Sequence, residues 1–372
     1  MAQPLFKRVA VIGLGLIGSS FALNVRHHGL AGEVVGYDES ADVRKRARTL
    51  EIVDRVARTP VDAVQDADLV MLCVPVGVMG EVAKAIAPAL AAGAIITDVG
   101  SVKGRVVEEI APHIPENVAL VPGHPIAGTE RSGPEAATSG LFEGRWCILT
   151  PAGGCSDGDV ERVKALWEAL GSGVEIMTPE RHDLVLAITS HVPHLIAYNI
   201  VGTAADLETV TQSEVIKYSA GGFRDFTRIA ASDPTMWRDI FLTNKDAVLE
   251  MLGRFSEDLS ALQRAIRWDD GEGLFDLFTR TRAIRREIID AGQDEDAPDF
   301  GRFHGMLGEA LQQEILQAGK AAEGFDKLRV AFDDAVKRGI IELDEAAAES
   351  PEGTKPQAKS KTPKQRPRGK GK

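Results

Sequence analysis

Apolar residues in the first half of the chain fall into short runs that alternate with amphipathic stretches. Runs of this kind, ending at glycine, proline or aspartate, are typical of buried strands in a parallel sheet. We predict strands near 8–13, 33–38, 67–75, 94–100, 118–125, 145–151 and 174–178. Helical spacing fills the intervals at 16–28, 41–50, 78–90, 102–114 and 157–170. This alternation predicts an α/β domain over residues 1–178, built on a doubly wound parallel sheet.

Beyond residue 178 the pattern changes to helical spacing alone. Thr178-Pro179 is a favourable helix start, because the hydroxyl can accept from free amides and a proline at the first helical position needs no donor. We predict a helix from 179 to about 208 with a kink at Pro193, and further helices over 212–219, 234–267 and 271–290. Residues 179–292 should therefore form a second, all-helical domain.

The remaining residues are more polar. Residues 293–346 combine a polar linker with short helical periodicity, and we expect a small helical extension there. Residues 347–372 are rich in proline, lysine, glycine and serine and lack aromatic residues, which predicts a disordered basic tail.

Charge and cysteine content narrow the class of protein. The formal net charge is −12, and because residues 351–372 alone carry +7, the other 350 residues carry −19. An acidic body disfavours nucleic acid as a partner. The cysteines at 73, 147 and 155 lack disulfide or zinc spacing, and we find neither a signal peptide nor an apolar run near the roughly 20 residues that cross a bilayer. We expect a cytoplasmic protein with free thiols and no membrane or metal contact.

A glycine motif follows the first predicted strand and opens the first predicted helix. Its residues are Gly13, Gly15 and Gly18, with Leu16 and Ile17 between them. In this context the glycines allow a tight turn, close approach of a pyrophosphate and helix–sheet packing, and free helix amides face the phosphates. The motif predicts a Rossmann-type dinucleotide site.

Asp38 ends the second predicted strand, where a carboxylate binds the ribose hydroxyls of NAD and repels the 2′-phosphate of NADP. NAD is therefore the expected cofactor. Two observations leave alternatives open: Asp38 could instead cap the following helix, and Arg44 nearby could soften the discrimination.

Three further segments carry residues suited to hydride-transfer chemistry. Ser101 and His124 each follow a predicted strand, at the edge where ligands of such sheets bind. Arg228 offers a cation for a substrate carboxylate, and His191 lies in the first helix of the second domain. The plainer readings are that Ser101 caps a helix, that a single loop histidine such as His124 is structural, and that Arg228 pairs with surface acids. His191 and His194 are spaced as a metal pair, but no third acidic or thiol ligand lies nearby in the sequence, so we expect no zinc site. These residues alone indicate a dehydrogenase of a small anionic substrate.

Taken together, these segments resemble the prephenate and arogenate (cyclohexadienyl) dehydrogenase family of tyrosine biosynthesis. The matching stretches are GLGLIGSS at 13–20, DVGSVKG at 98–104, GHPIAGTERSG at 123–133, SHVPHLIA at 190–197 and GGFRDFTRIAASDPTMWRDIF at 221–241. The resemblance covers about residues 8–290, in order and spacing.

The resemblance implies NAD-dependent oxidative decarboxylation of prephenate to 4-hydroxyphenylpyruvate by a homodimer that pairs through its helical domain. It assigns His124 as acceptor for the substrate 4-hydroxyl and Ser101 as the residue that orients His124 and the nicotinamide. Substrate binding falls to Arg228, His191 and the pair Thr129 and Glu130, with Glu130 acting across the subunit boundary. Two alternatives remain: an arogenate-preferring or dual-specificity enzyme, and a non-catalytic dinucleotide-sensing protein.

Overall fold

The computed structural model describes residues 3–128 and 131–290. The predicted extension at 293–346 and the tail at 347–372 lie outside these residues. The strands are β1 Phe6–Ile12, β2 Ala31–Tyr37, β3 Arg55–Val56, β4 Leu69–Leu72, β5 Ile95–Asp98, β6 Ala119–Leu120, β7 Gly123–Pro125, β8 Trp146–Leu149 and β9 Gly173–Ile176. The α-helices are α1 Leu16–His27, α2 Ala41–Thr49, α3 Pro60–Val64, α4 Met79–Ile86, α5 Lys103–Ile110, α6 Asp157–Ala169, α7 Pro179–Leu186, α8 Val192–Thr211, α9 Gly221–Thr227, α10 Pro234–Thr243, α11 Lys245–Arg267 and α12 Gly271–Asp290.

The first six strands form one parallel sheet in the order β3-β2-β1-β4-β5-β6. In its central strands, residues 9–12, 69–72 and 95–96 are buried on both faces and are apolar without alternation. Phe21 and Trp167 belong to the core on one face of the sheet, and Val70 and Ile86 belong to the core on the other. The chain reverses its direction of winding between β1 and β4, and ligands of such sheets bind beside that point. The predicted α/β class, followed by a helical domain, is confirmed.

The last three strands of the α/β domain depart from the prediction. They form a separate sheet in the order β7-β8-β9, in which β7 runs antiparallel to β8. The single strand predicted over 118–125 is therefore wrong, and it divides into β6 and β7 around Val121 and Pro122. Proline has no amide hydrogen to continue the ladder, so the chain leaves the first sheet there. This change of sheet places His124 on β7.

The helical part also differs from the prediction in three places. The kink expected at Pro193 is a wide π-helical turn over Ala187–His191, one turn earlier, where the proline ring would otherwise meet a backbone carbonyl. The helix predicted over 212–219 is reduced to a single 3₁₀ turn at Ile216–Tyr218, because α8 ends at Gln212 in the left-handed conformation. The helix predicted over 234–267 is interrupted at Asn244, which lies between α10 and α11.

The stretch Pro179–Thr211 is long and apolar enough to cross a membrane by length and composition, with a mean hydropathy of 1.5, contrary to our reading of the sequence. Its first turns nevertheless carry buried polar side chains that bind other parts of the protein. Asp183 accepts hydrogen bonds from backbone amides of α5, and His191 bonds to Asn244. These contacts pack one side of the first half of the stretch against other parts of the described fold.

Candidate active site

The glycine loop between β1 and α1 leaves room for a ligand at one position and none at two others. Gly13 has φ +98°, and a β-carbon there would overlap the Cys73 carbonyl. A β-carbon on Gly18 would overlap the Gly13 carbonyl, so Gly18 allows α1 to pack against the loop. No atom lies within 4 Å of the β-carbon position of Gly15, which is the N-cap residue of α1 and has no side chain to satisfy the first helix amides. The loop thus fits a pyrophosphate.

Asp38 stands at the end of β2 beside this loop. One oxygen of its carboxylate accepts from the Leu14 amide at 2.9 Å and the other from the Ser40 amide at 2.9 Å. The cap of α2 is the Ser40 hydroxyl, so the alternative that Asp38 merely caps this helix is wrong. A carboxylate has about four acceptor positions, so two remain for ribose hydroxyls. Arg44, on α2, donates to the backbone carbonyl of Asp38 at 2.5 Å.

Ser101 and the start of α5 lie at the carboxyl end of β5. The alternative that Ser101 caps α5 is wrong, because the helix begins at Lys103 and its first amides bind Asp183 instead. Among the described residues the Ser101 hydroxyl has no hydrogen-bond partner that would fix its orientation. Its predicted action on His124 and the nicotinamide stays a prediction.

Beneath Ser101 lies a fully buried ion pair that the sequence reading missed. Lys103 Nζ contacts Asp98 Oδ2 at 2.5 Å and donates to the Gly123 carbonyl at 2.8 Å. The other Asp98 oxygen accepts from the Gly123 amide at 3.2 Å. This pair ties the end of β5 to the start of β7, and thereby fixes the backbone next to His124. The signal was present in DVGSVKG, where a lysine follows a strand-ending aspartate at a spacing of five residues.

His124 is buried and belongs to a chain of three side chains. Its Nδ1 lies 2.8 Å from His182 Nε2, and His182 Nδ1 lies 2.8 Å from Asp183 Oδ1. The same carboxylate accepts from the Lys103 amide at 2.7 Å and from the Gly104 amide at 2.8 Å. Because Nδ1 is engaged, Nε2 is the ring atom of His124 left for a substrate.

His182 and Asp183 were not among the predicted site residues. Both lie on α7, the first helix after the α/β domain, and His182 is fully buried. A histidine next to an aspartate just after a helix start is a common surface pattern, so nothing in the sequence singled out this pair.

His191 and His194 extend the cluster into the helical part. His191 is 1% exposed, and its Nδ1 accepts from the side-chain amide of Asn244 at 3.1 Å. Asn244 also donates to the Asp183 carbonyl at 2.9 Å, which accounts for both of its amide hydrogens. The ring of His194 stacks on Trp237 with 3.6 Å between centroids, and its Nδ1 lies 2.8 Å from the Ser190 carbonyl. Because Nδ1 of His191 is an acceptor, the neutral ring carries its proton on Nε2, which can act as a donor.

Arg228 lies in the 3₁₀ turn after α9 and is exposed. Its charge is close enough to His194 to lower the pKa of that ring, although burial of the ring lowers it more. No carboxylate of the described residues forms an ion pair with Arg228, so the alternative of a partner among the surface acids finds no support there. Thr129 and Glu130 lie outside the described residues.

The buried histidines are held neutral by their surroundings. Burial lowers the pKa of His124 well below its usual range, and the neighbouring rings of His182 and His191 and the Lys103 ammonium act in the same direction. Burial lowers the pKa of His191 to about 4. A neutral His124 can accept a proton or a hydrogen bond near pH 7, which a general base requires.

The fold and the site together define a dinucleotide-dependent dehydrogenase: a phosphate-binding glycine loop follows β1 of the parallel sheet, and a buried neutral imidazole lies on β7, which Asp98 and Lys103 tie to the carboxyl end of β5 in that sheet.

Comparison with known proteins gives the family. Residues 21–176 match the model of the prephenate dehydrogenase nucleotide-binding domain, and residues 178–280 match that of the prephenate dehydrogenase dimerization domain. The chain belongs to the prephenate dehydrogenase family, a family of oxidoreductases in tyrosine biosynthesis.

Individual relatives agree with this assignment. The cyclohexadienyl dehydrogenase of Zymomonas mobilis is 44% identical over 283 residues, which cover 76% of this chain and 96% of the relative. The prephenate dehydrogenase of Bacillus subtilis is 34% identical over 278 residues, covering 74% and 75%. The crystal structure of the Aquifex aeolicus prephenate dehydrogenase in complex with hydroxyphenyl propionate and NAD+ is 38% identical, with a TM-score of 0.71, covering 76% of this chain and 98% of that one.

Proposed function

We propose that this protein catalyses the NAD-dependent oxidative decarboxylation of prephenate to 4-hydroxyphenylpyruvate. The observation that carries the proposal is His124: a buried, neutral imidazole whose Nδ1 is occupied by His182, on a strand that is tied to the carboxyl end of β5 in the sheet that carries the glycine loop. Nε2 is then the acceptor for a hydroxyl proton.

When bound, the nicotinamide supplies the hydride acceptor. The hydride leaves the ring carbon that bears the 4-hydroxyl, and the bond from the ring to the carboxylate breaks, so that carbon dioxide leaves and its bonding electron pair completes the aromatic ring. Loss of the hydride builds positive charge at that carbon, and His124 Nε2 stabilises it by drawing the hydroxyl proton towards itself. The product phenol carries a proton on the same oxygen, so His124 returns what it takes and no net proton is released.

Other side chains orient the substrate in this proposal. Arg228 binds a substrate carboxylate through its planar guanidinium, and the protonated Nε2 of His191 donates to the same region. Thr129, Glu130 and Ser101 keep the roles that the family resemblance implies. Asp38 selects NAD over NADP, supported by its two remaining acceptor positions beside the glycine loop. The A. aeolicus structure, which contains NAD+, supports the same choice.

A second candidate is an enzyme that prefers arogenate or accepts both substrates. Its support is the Z. mobilis relative, which is named a cyclohexadienyl dehydrogenase. Arogenate carries an ammonium group in place of the keto group of prephenate, so a single charged side chain near that group would decide the preference.

We further propose a cytoplasmic homodimer that pairs through the helical domain and binds neither nucleic acid nor membrane. The dimerization-domain match supports the pairing, and so do large apolar side chains left exposed on α8, α11 and α12, which are Ile200, Leu207, Val210, Leu249, Leu259, Ile266, Phe275 and Phe278. Free cysteines suit a reducing compartment. Sedimentation of the full chain tests the dimer, and a monomer at micromolar concentration would contradict it.

The test of the reaction is reduction of NAD and of NADP by the purified protein, with prephenate and with arogenate supplied separately. We expect turnover with NAD and prephenate. A faster rate with arogenate would favour the second candidate, and faster reduction of NADP would remove Asp38 as the selecting residue. No turnover with either substrate would contradict the proposal.

A further inference from the structure

The donor and the acceptor in each hydrogen bond of the chain Asp183–His182–His124 can be assigned by starting from Asp183. The oxygens of Asp183 face N–H groups: the amides of Lys103 and Gly104 and the ring of His182. Donors on both oxygens stabilise the ionised form of the carboxylate over the acid, and an ionised carboxylate acts only as an acceptor. His182 Nδ1 must therefore carry a proton.

The next bond follows from the charge of His182. Its ring is fully buried, and burial lowers the pKa of His182, an effect that the neighbouring Lys103 ammonium reinforces although Asp183 opposes it. A neutral imidazole has a single N–H, which Nδ1 already uses, so Nε2 is a bare acceptor. His124 Nδ1 lies 2.8 Å from that acceptor and must be the donor.

His124 is itself buried and neutral, so it too has a single N–H. With that proton on Nδ1, its Nε2 is bare. We infer that Asp183 and His182 form a positioning relay that fixes His124 in the tautomer whose bare Nε2 faces the substrate. The inference rests on the proposed function only for the identity of the hydroxyl that Nε2 accepts from; the tautomer itself follows from the hydrogen bonds.

The relay also joins the two parts of the chain. Asp183 belongs to α7, whereas the amides that it binds begin α5, 80 and 79 residues earlier. The helix N-terminus stabilises the ionised carboxylate. A β-carbon on Gly104 would lie 2.9 Å from Asp183 Oδ2, so glycine at this position permits the contact. The base is therefore set in its working tautomer only when α7 is seated on α5.

The direct test is the tautomer of His124 in the full-length protein. Histidine labelled with ¹⁵N gives separate Nδ1 and Nε2 signals in long-range ¹H–¹⁵N spectra, and loss of signals in His124→Asn and in His182→Gln assigns the two rings. We expect Nδ1 protonated and Nε2 bare in both rings at pH 7. A proton on His124 Nε2 would overturn the relay.

A pair of substitutions at His182 separates positioning from packing. Both His182→Gln and His182→Leu remove the imidazole, but only glutamine can place an acceptor oxygen near the position of Nε2. We expect His182→Leu to lower kcat on the order of 10²-fold with little change in KM, because His124 is then free to adopt the wrong tautomer. We expect His182→Gln to stay within about tenfold of the unaltered enzyme. Equal losses in the two variants would contradict the relay.

Ser156→Ala provides the matched control for stability. It removes the cap of α6, away from the site, and should lower the melting temperature by a few degrees without changing kcat or the histidine spectra. The spectra need no substrate, so the two proposals can fail separately. The expected tautomer without turnover of prephenate or arogenate would contradict only the proposed function. Turnover with a proton on His124 Nε2 would contradict only the relay.

Discussion

The glycine loop and the histidine cluster are built in opposite ways. The loop, residues 13–18, is contiguous and presents backbone amides, and its three glycines are required because they have no side chains. The cluster presents side chains from distant positions: His124 and His182 lie 58 residues apart, and Asn244 lies 53 residues beyond His191. Changes in the loop should therefore alter cofactor affinity locally, whereas changes in the cluster should alter catalysis and the stability of the fold together.

The largest expected effect comes from His124→Asn. Asparagine has no ring nitrogen to take up a proton, so kcat should fall by about 10²–10⁴-fold while the KM for substrate changes little. Steady-state kinetics with the preferred substrate measure both constants. His28→Asn, at an exposed histidine on the C-cap of α1, is the matched control and should leave both unchanged. A kcat near that of the control would remove His124 from the proposed role.

Acid should weaken the cluster through His191. Its pKa is about 4 in the fold, below the usual 6.5, so between these values the unfolded chain binds the proton and the folded chain does not. The stability that His191 contributes is complete above pH 6.5 and is lost as pH falls towards 4, by about 3 kcal/mol.

Urea unfolding at pH 7, 5.5 and 4.5 measures this loss, and His191→Asn should show a shallower dependence on pH. An equal dependence in the variant would assign the loss to other groups.

The glycine loop binds through backbone amides, which do not titrate. The affinity of the folded enzyme for NAD should therefore vary much less between pH 7 and pH 6 than the kcat of a variant with an altered histidine cluster.

Arg228→Ala should act on substrate affinity. Loss of a charge-assisted hydrogen bond to a carboxylate costs about 1.5–3 kcal/mol, so KM should rise about 10- to 100-fold with kcat little changed. Arg254→Ala is the control: an exposed arginine on α11 whose ion pair with Glu250 lies within one helix. An unchanged KM for Arg228→Ala would mean that another cation holds the carboxylate.

The smallest effect is expected in the loop. Gly15→Ala places a methyl group in the open space of the cradle, where no atom of the protein lies within 4 Å, so the melting temperature should not fall. The Kd for NAD should rise about tenfold, or about 1.4 kcal/mol, because the methyl occupies space that the pyrophosphate needs. Gly153→Ala, also in open space but in another loop, should change neither quantity. Normal NAD binding by Gly15→Ala would place the pyrophosphate elsewhere.

The sequence alone determined the features that depend on neighbouring residues. Strand–helix alternation gave the α/β fold, and the spacing of Gly13, Gly15 and Gly18 gave the nucleotide loop, because a loop made of backbone groups is encoded in one stretch. The motif around His124, which is also contiguous, pointed to this residue as the acceptor that we propose. The helical periodicity of apolar residues also predicted most of the helices, including α7 with its Thr178 cap.

Tertiary structure decided what the sequence could not express. The departure of β7 from the first sheet at Pro122, the break at Asn244 and the capping of α5 by Asp183 each depend on a partner far along the chain. The position of a proton on a histidine ring is set by whichever group lies within hydrogen-bond distance, and for His124 that group is His182, which only the folded chain brings to 2.8 Å.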